Sequence, residues 1–270
     1  MRFLPLLEKI SPSLVARLGY RIFNNPQSRK FRPFEQAILE QAKQQTFSFQ
    51  NHQMTRYEWG DGPAKALLVH GWEGRASNFG KIVPMLVKKG YTVTSFDCPG
   101  HGQSERTENP FLDFAAMVKQ FLQEQSYDLI LTHSMGSIIT IWGLHDLKLP
   151  VQQMIVCTTP DTLEDRFAMT VKELGLTDKT QRAMMQLFTT STGLNPNDLQ
   201  GNRFAPSLEF EELLFISDVN DKILPLAWTR AVQEAAPGSE LLLIEGTGHF
   251  RMLWSEQLVE LLGQRIPKKA

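Results

Sequence analysis

Cysteine is scarce in this chain: Cys98 and Cys157 are the only two in 270 residues. Their separation fits no metal-ligand spacing, and two are too few for a disulfide framework. Both sit in or beside apolar, strand-like runs and read as buried thiols, which suits a reducing, cytoplasmic compartment. Charge of one sign is also missing. The formal net charge is −1, from 28 basic and 29 acidic residues, and gives no reason to expect nucleic acid as a partner. No apolar run approaches the roughly 20 residues that a membrane span needs. Residues 1–7 resemble the start of a signal peptide, but Glu8 and Lys9 interrupt them and no small-residue cleavage site follows. Internal repeats, low-complexity segments, nucleotide-binding motifs and clusters of His and carboxylate ligands are all absent. Neither a metal nor an organic cofactor is therefore expected.

The composition that remains, 42% apolar and 21% charged, is that of an ordinary globular protein. The length suits one large α/β domain, or one domain with a sizeable insertion. Residues 1–45 read as a helical extension. Ser11-Pro12 opens a helix with Leu14, Val15, Leu18 and Ile22 on one face, and a second helix spans about 33–43. Up to Phe34 the segment holds seven basic residues against Glu8 alone, a balance of +6. Such a segment suits an anionic lipid surface or a partner. The preferred reading is that its apolar faces are buried on the main domain.

From Thr46 onward short β-rich runs alternate with helical stretches. Strands are expected near 46–50, 54–59, 66–69, 92–96, 129–131, 154–157, 213–216 and 241–244. Helices are expected over 77–89, 112–125, 226–234 and 252–262. This alternation implies a mainly parallel sheet covered on both faces. The strand signal vanishes between Pro160 and Pro206, where helical segments near 163–174 and 179–189 suggest a small cap over the carboxyl edge of the sheet. The expected organisation is a core of 46–158 and 211–270, with 159–210 as the cap.

The strand at 129–131 runs directly into Thr132-His133-Ser134-Met135-Gly136-Ser137. A serine between a strand end and a helix start is held on a sharp turn, with helix N–H groups beside its hydroxyl. Three further blocks accompany it: His70-Gly71-Trp72, Asp97-Cys98-Pro99-Gly100-His101-Gly102-Gln103-Ser104, and Asp221-Lys222-Ile223-Leu224-Pro225 followed by Gly248-His249. In this order, each after an expected strand, they make residues 46–266 resemble the α/β-hydrolase superfamily, and specifically its serine esterases with a small helical cap. Two positions depart from the family pattern. Thr132 stands where a glycine is usual, and Ser137 replaces a glycine that often follows.

The resemblance implies a nucleophile at Ser134, a general base at His249 and an orienting carboxylate at Asp221, with oxyanion donors at the backbone N–H groups of Trp72 and Met135. Asp218, three residues before Asp221, is the competing carboxylate; the spacing to Pro225 favours Asp221. His70 and His101 read as loop braces, and His133 points away from the serine. Met135, Trp72, Phe79, Trp142, Phe250 and the cap's Phe and Met residues are candidates for an apolar pocket, with Glu73 either facing substrate or bracing its loop with Arg75. The expected activity is hydrolysis of a small or medium apolar ester through an acyl-enzyme, a carboxylesterase reaction needing no cofactor. Thioester, lactone or carbon–carbon bond hydrolysis on the same scaffold is the alternative, and a non-catalytic homologue that binds a small ligand is another.

Overall fold

The computed structural model describes residues 4–26 and 31–269. Among them, eight strands form one sheet: β1 Lys43–Phe49, β2 His52–Trp59, β3 Ala64–Val69, β4 Tyr91–Phe96, β5 Leu129–His133, β6 Val151–Cys157, β7 Phe210–Asp218 and β8 Glu240–Ile244. Their order is β1-β2-β4-β3-β5-β6-β7-β8. The pairs β1–β2 and β2–β4 are antiparallel, and every pair from β4–β3 to β7–β8 is parallel. Both β4 and β5 are buried along their whole length, which is why they read as unbroken apolar or β-branched runs rather than alternating ones. Edge strand β1, Lys-Gln-Gln-Thr-Phe-Ser-Phe, is mostly exposed and polar, a composition that discourages pairing with another chain.

Side chains alternate across the sheet. Leu67, Val69, Ile130, Val156 and Phe215 point to one face, where they meet α5 (Pro110–Glu124) and α6 (Met135–Leu147). Leu68, Leu129, Leu131, Ile155 and Ile216 point to the other, against α3 (Pro33–Glu40), α4 (Val83–Lys88) and α11 (Glu256–Arg265). Helix α10 (Leu226–Glu234) follows β7 as the 226–234 pattern indicates. Because the chain leaves β3 to form β4 on one side and returns to form β5 on the other, a crevice opens at the carboxyl ends of these strands.

Two expected helices are broken. Residues 77–89 split into a 3₁₀ turn at Ala76–Phe79 and α4, because Pro84 has no N–H to bond the carbonyl four residues back and is tolerated only in the first turn of a helix, where it stands in α4. Residues 252–262 split at Ser255, whose hydroxyl accepts the Leu258 N–H at 3.1 Å and starts α11 afresh.

The N-terminal region contains α1 (Leu4–Ile10) and α2 (Pro12–Phe23) before α3. Between β6 and β7 lie α7 (Leu163–Glu173), α8 (Asp178–Thr192) and the short α9 (Gly201–Phe204). Helix α2 packs along α8, burying Ala16 and Phe23 with Phe167, Met184 and Phe188. Glu8 of α1 caps the start of α8, its carboxylate accepting the Thr177 N–H (3.0 Å), the Thr177 hydroxyl (2.7 Å) and the Thr180 hydroxyl. A negative charge there also opposes the helix dipole favourably. Leu6, Ile10 and Leu14 remain exposed on the outer side. No described helix is long and apolar enough to cross a membrane.

Candidate active site

Ser134 sits between β5 and α6 with φ 55° and ψ −124°. A non-glycine residue in that region costs on the order of 1–3 kcal/mol and persists only where its neighbours over-determine it. Here they do. The Ser134 N–H donates to the carbonyls of Thr158 (3.1 Å) and Cys157 (3.2 Å). Helix α6 starts beside β3 so closely that a Cβ on Gly136 would come within 2.3 Å of the His70 carbonyl oxygen, so only glycine fits. The two departures from the family pattern meet each other. Thr132 Oγ1 donates to Ser137 Oγ at 2.9 Å, and Ser137 Oγ donates to the Thr158 carbonyl at 2.9 Å. Two missing glycines are thus replaced by a buried hydroxyl pair that ties the strand before the turn to the helix after it.

Asp221 and His249 arrive from the ends of β7 and β8. The Asp221 carboxylate is 2.8 Å from His249 Nδ1, and His249 Nε2 is 3.0 Å from Ser134 Oγ. With Nδ1–H donated to the carboxylate, Nε2 is left to accept the serine proton. Both partners are buried. Burial alone pushes the Asp221 carboxyl up. The hydrogen bond and charge of His249, with the Leu224 and Ile223 amides, outweigh it and hold the group below the usual carboxylate range.

Asp218 serves a different purpose. One of its oxygens accepts the Thr247 N–H (2.6 Å), the Thr247 hydroxyl (2.7 Å) and the Gly248 N–H (2.8 Å), fixing the loop that carries His249. His133, next to Ser134, holds the same loop from the other side, its Nε2 lying 3.0 Å from the His249 carbonyl. Burial and the neighbouring His249 push the His133 pKa down to about 3, so it is neutral and donates there. Neither contact is visible as sequence spacing, since both join residues more than twenty positions apart.

Trp72 lies in the loop after β3, where the preceding Gly71 runs so close to Ser134 that a Cβ on it would come within 2.8 Å of the serine Cβ, and Met135 opens the first turn of α6. First-turn amides have no acceptor within their own helix, so the Met135 N–H is available to an incoming oxygen. The Trp72 loop is braced by the two histidines read as braces. His70 Nδ1 donates to the Gly71 carbonyl (2.7 Å) and its Nε2 accepts the Cys98 N–H (3.1 Å). His101 Nε2 accepts the Glu73 N–H at 3.0 Å, while Nδ1 donates to the Pro99 carbonyl at 3.0 Å. Burial lowers the His101 pKa to about 4 and holds that of His70 well below its ordinary value, as two neutral acceptors require. Asp97 joins in, accepting Ala76 N–H (2.8 Å), Gln103 N–H (2.8 Å) and the Tyr57 hydroxyl (2.9 Å).

A family model described as alpha/beta hydrolase fold matches residues 67–211, more than half of the chain. The chain belongs to this α/β-hydrolase family. The matched span includes Trp72, Ser134 and Met135; Asp221 and His249 lie beyond it. Over 95 residues the chain is 24% identical to a Mycoplasma genitalium protein that bears an esterase/lipase name, covering 33% of this chain and 35% of that one. The chain thus spans about a third of the length of that curated relative. Among solved structures, an esterase from Pyrococcus furiosus superposes with a TM-score of 0.61 at 19% identity, over 90% of this chain and 94% of the other. A thioesterase domain from the curacin biosynthetic pathway gives 0.63 at 14% identity, over 83% and 98%. At these identities the likeness is one of fold.

Two openings lie beside Met135 and His249. An apolar crevice lies between α6 and the helices that join β6 to β7, lined by Phe111, Met135, Ile138, Trp142, Leu163 and Phe204 among others. At about 10 Å³ it has room for one water. A wider cleft of about 410 Å³ lies beyond His249, lined by Asp218, Lys222, Ile223, Phe250 and Arg251. Met135, Trp142 and Phe250 therefore border open space. Phe79 does not: it is fully buried with Ile82 and Leu86 in the core of the opposite sheet face, because the break before Pro84 turns it inward. Phe167, Phe188 and Met184 of α7 and α8 are likewise core, packed on the N-terminal helices. Glu73 is half-buried, with φ 61°, and its backbone serves the loop through His101. Among the described residues, no group of three or more His, Cys, Asp or Glu side chains is placed to hold a metal ion.

Proposed function

We propose that this α/β hydrolase is a serine carboxylesterase acting on esters with a small or medium apolar acyl group. The observation that carries the reading is the continuous relay from Asp221 through His249 to the Ser134 hydroxyl, with 2.8 and 3.0 Å steps.

In the first half-reaction His249 Nε2 takes the Ser134 proton as Oγ attacks the ester carbonyl. Asp221 keeps the imidazole in the required tautomer and stabilises the imidazolium. The negative oxygen of the tetrahedral intermediate is met by the N–H groups of Met135 and Trp72; losing one such donor typically costs about 10²–10³ in rate. His249 then returns its proton to the leaving alkoxide, and the acyl group stays on Ser134. Water, deprotonated by the same histidine, attacks the acyl carbonyl and releases the acid. The apolar side chains beside Met135 are the place for the acyl chain; their crevice of about 10 Å³ holds one water, so even a short chain enters only as Phe111, Trp142 and Phe204 shift.

The test is hydrolysis of p-nitrophenyl acetate, butyrate, octanoate and palmitate by the wild type and Ser134→Ala. Acetate and butyrate are expected to be the better substrates, with turnover abolished in the variant. Equal turnover by folded Ser134→Ala overturns the proposal.

A further inference from the structure

The loop bearing Trp72, residues 70–79, is gripped from outside the sheet by two parts of the N-terminal region. The first grip is at the end of α2. The Phe23 carbonyl accepts the Trp72 indole N–H at 3.1 Å, and the Phe23 ring stacks on Trp72 at 5.8 Å and on the cap's Phe167 at 4.5 Å. The second is Glu35 of α3, a carboxylate with 0% exposure. Its Oε1 accepts the Asn78 side-chain amide at 2.6 Å and the Ser77 hydroxyl at 3.3 Å, and lies 3.9 Å from the buried Arg75 guanidinium. Its Oε2 accepts the Arg32 N–H at 2.8 Å. Asn78 passes the constraint on, accepting the Arg75 N–H at 3.0 Å and, through its carbonyl, the Trp254 indole N–H at 2.9 Å.

A buried carboxylate is an expensive anchor for an appendage. Apart from Arg32 of its own helix start, its partners Arg75, Ser77 and Asn78 belong to the loop that bears Trp72 and Glu73, and the positive φ of Glu73 needs outside restraint to persist.

We infer that Glu35 and Phe23 are positioning residues for the oxyanion donor at Trp72, so that the N-terminal region completes the active site. This rests on the serine-hydrolase reading above. Oxyanion donors act only when held within about 0.3 Å of a 2.9 Å contact with the developing charge, and misplacement by about 1 Å costs up to about 10² in rate. Loosening either grip lets the Trp72 N–H drift, while the acyl crevice, walled by α6 and the cap, keeps its shape.

The experiment compares Glu35→Ala, Glu35→Gln and Phe23→Leu with the wild type and Ser134→Ala on p-nitrophenyl butyrate, at a temperature where circular dichroism shows each protein folded. For Glu35→Ala, kcat is expected to fall about 10- to 100-fold with KM changed less than about twofold, since the lost contact is made only in the transition state. Glu35→Gln, which keeps an acceptor for Asn78, retains more activity than Glu35→Ala. Phe23→Leu loses several-fold in kcat, and decides the matter if the Glu35 variants do not fold. An alkyl boronic acid, which forms a tetrahedral adduct on the serine, is expected to bind Glu35→Ala and Phe23→Leu more weakly by about the same factors as kcat falls, whereas butyrate inhibits all alike. Unchanged kcat in the folded variants, or a loss confined to KM, overturns the inference and leaves the serine reading standing. Turnover by Ser134→Ala equal to the wild type overturns both.

Discussion

At the scale of single residues, the hydroxyl pair of Thr132 and Ser137 shows how a sequence motif can change while its geometry is kept. Glycine before the nucleophile gives room, but here the room is filled by two side chains that satisfy each other in a site with 0% exposure. Removing either alone leaves a buried partner short of a hydrogen bond, at a cost of about 1–3 kcal/mol. Thr132→Ala and Ser137→Ala are therefore expected to destabilise the protein singly, and the double variant by less than their sum. Urea unfolding of the four proteins measures the coupling, and strict additivity would show that the pair does nothing together. Thr132→Gly is expected to lower stability without raising kcat. The sequence alone marks Thr132 only as a departure from the family pattern, because the 2.9 Å contact with Ser137 exists only once strand and helix are folded around the serine.

At the scale of elements, the loops after β7 and β8 divide two neighbouring carboxylates between two tasks. Asp221→Asn keeps the shape of the site but offers His249 an amide in place of a charge; by analogy with other triads kcat falls about 10³–10⁴-fold. Asp218→Asn instead turns an N–H₂ or a weaker acceptor toward Thr247 and Gly248. Its expected signature is a loss of about 1–3 kcal/mol in stability, with a smaller fall in kcat than in Asp221→Asn. Thermal denaturation and kcat for the two variants make the comparison, and a reversed pattern would exchange the roles of the two aspartates. The central strands and the order Ser134, Asp221, His249 were legible in the sequence because buried parallel strands write themselves as short apolar runs that end on motif residues. Breaks at Pro84 and Ser255 were less visible, since the apolar periodicity continues across both. Phe79 was misplaced for that reason: on a continuous helix its ring could face the site, but on a separate 3₁₀ turn it enters the core.

At the scale of the whole molecule, three buried histidines (His70, His101 and His133) are kept neutral as parts of the loops around Ser134. An unfolded histidine titrates near 6.5, whereas burial lowers His101 to about 4 and His133 to about 3. Between the unfolded and folded values the unfolded chain binds more protons, so stability is complete above about pH 7 and is lost as pH falls through 6 towards 4. Each such histidine adds up to about 1.4 kcal/mol of loss per pH unit in that window. The urea midpoint is expected to be flat above pH 7 and to drop steeply below 6, and His133→Gln to make the slope shallower; a midpoint independent of pH from 7 to 4.5 contradicts this. The cap and the N-terminal helices belong to the same scale. Their sequences carry an amphipathic pattern but no record of which surface they cover, and α2 proves to lie on α8 with Phe23 reaching Trp72.

Covalent labelling tests the central claim most directly: incubation with an alkyl fluorophosphonate, followed by intact-protein mass and peptide mapping. The account predicts one phosphonyl group per chain, on Ser134, with Ser134→Ala unlabelled and Asp221→Asn labelled far more slowly. Labelling of Ser134→Ala at the wild-type rate, or an unlabelled wild type that still hydrolyses esters, would contradict it.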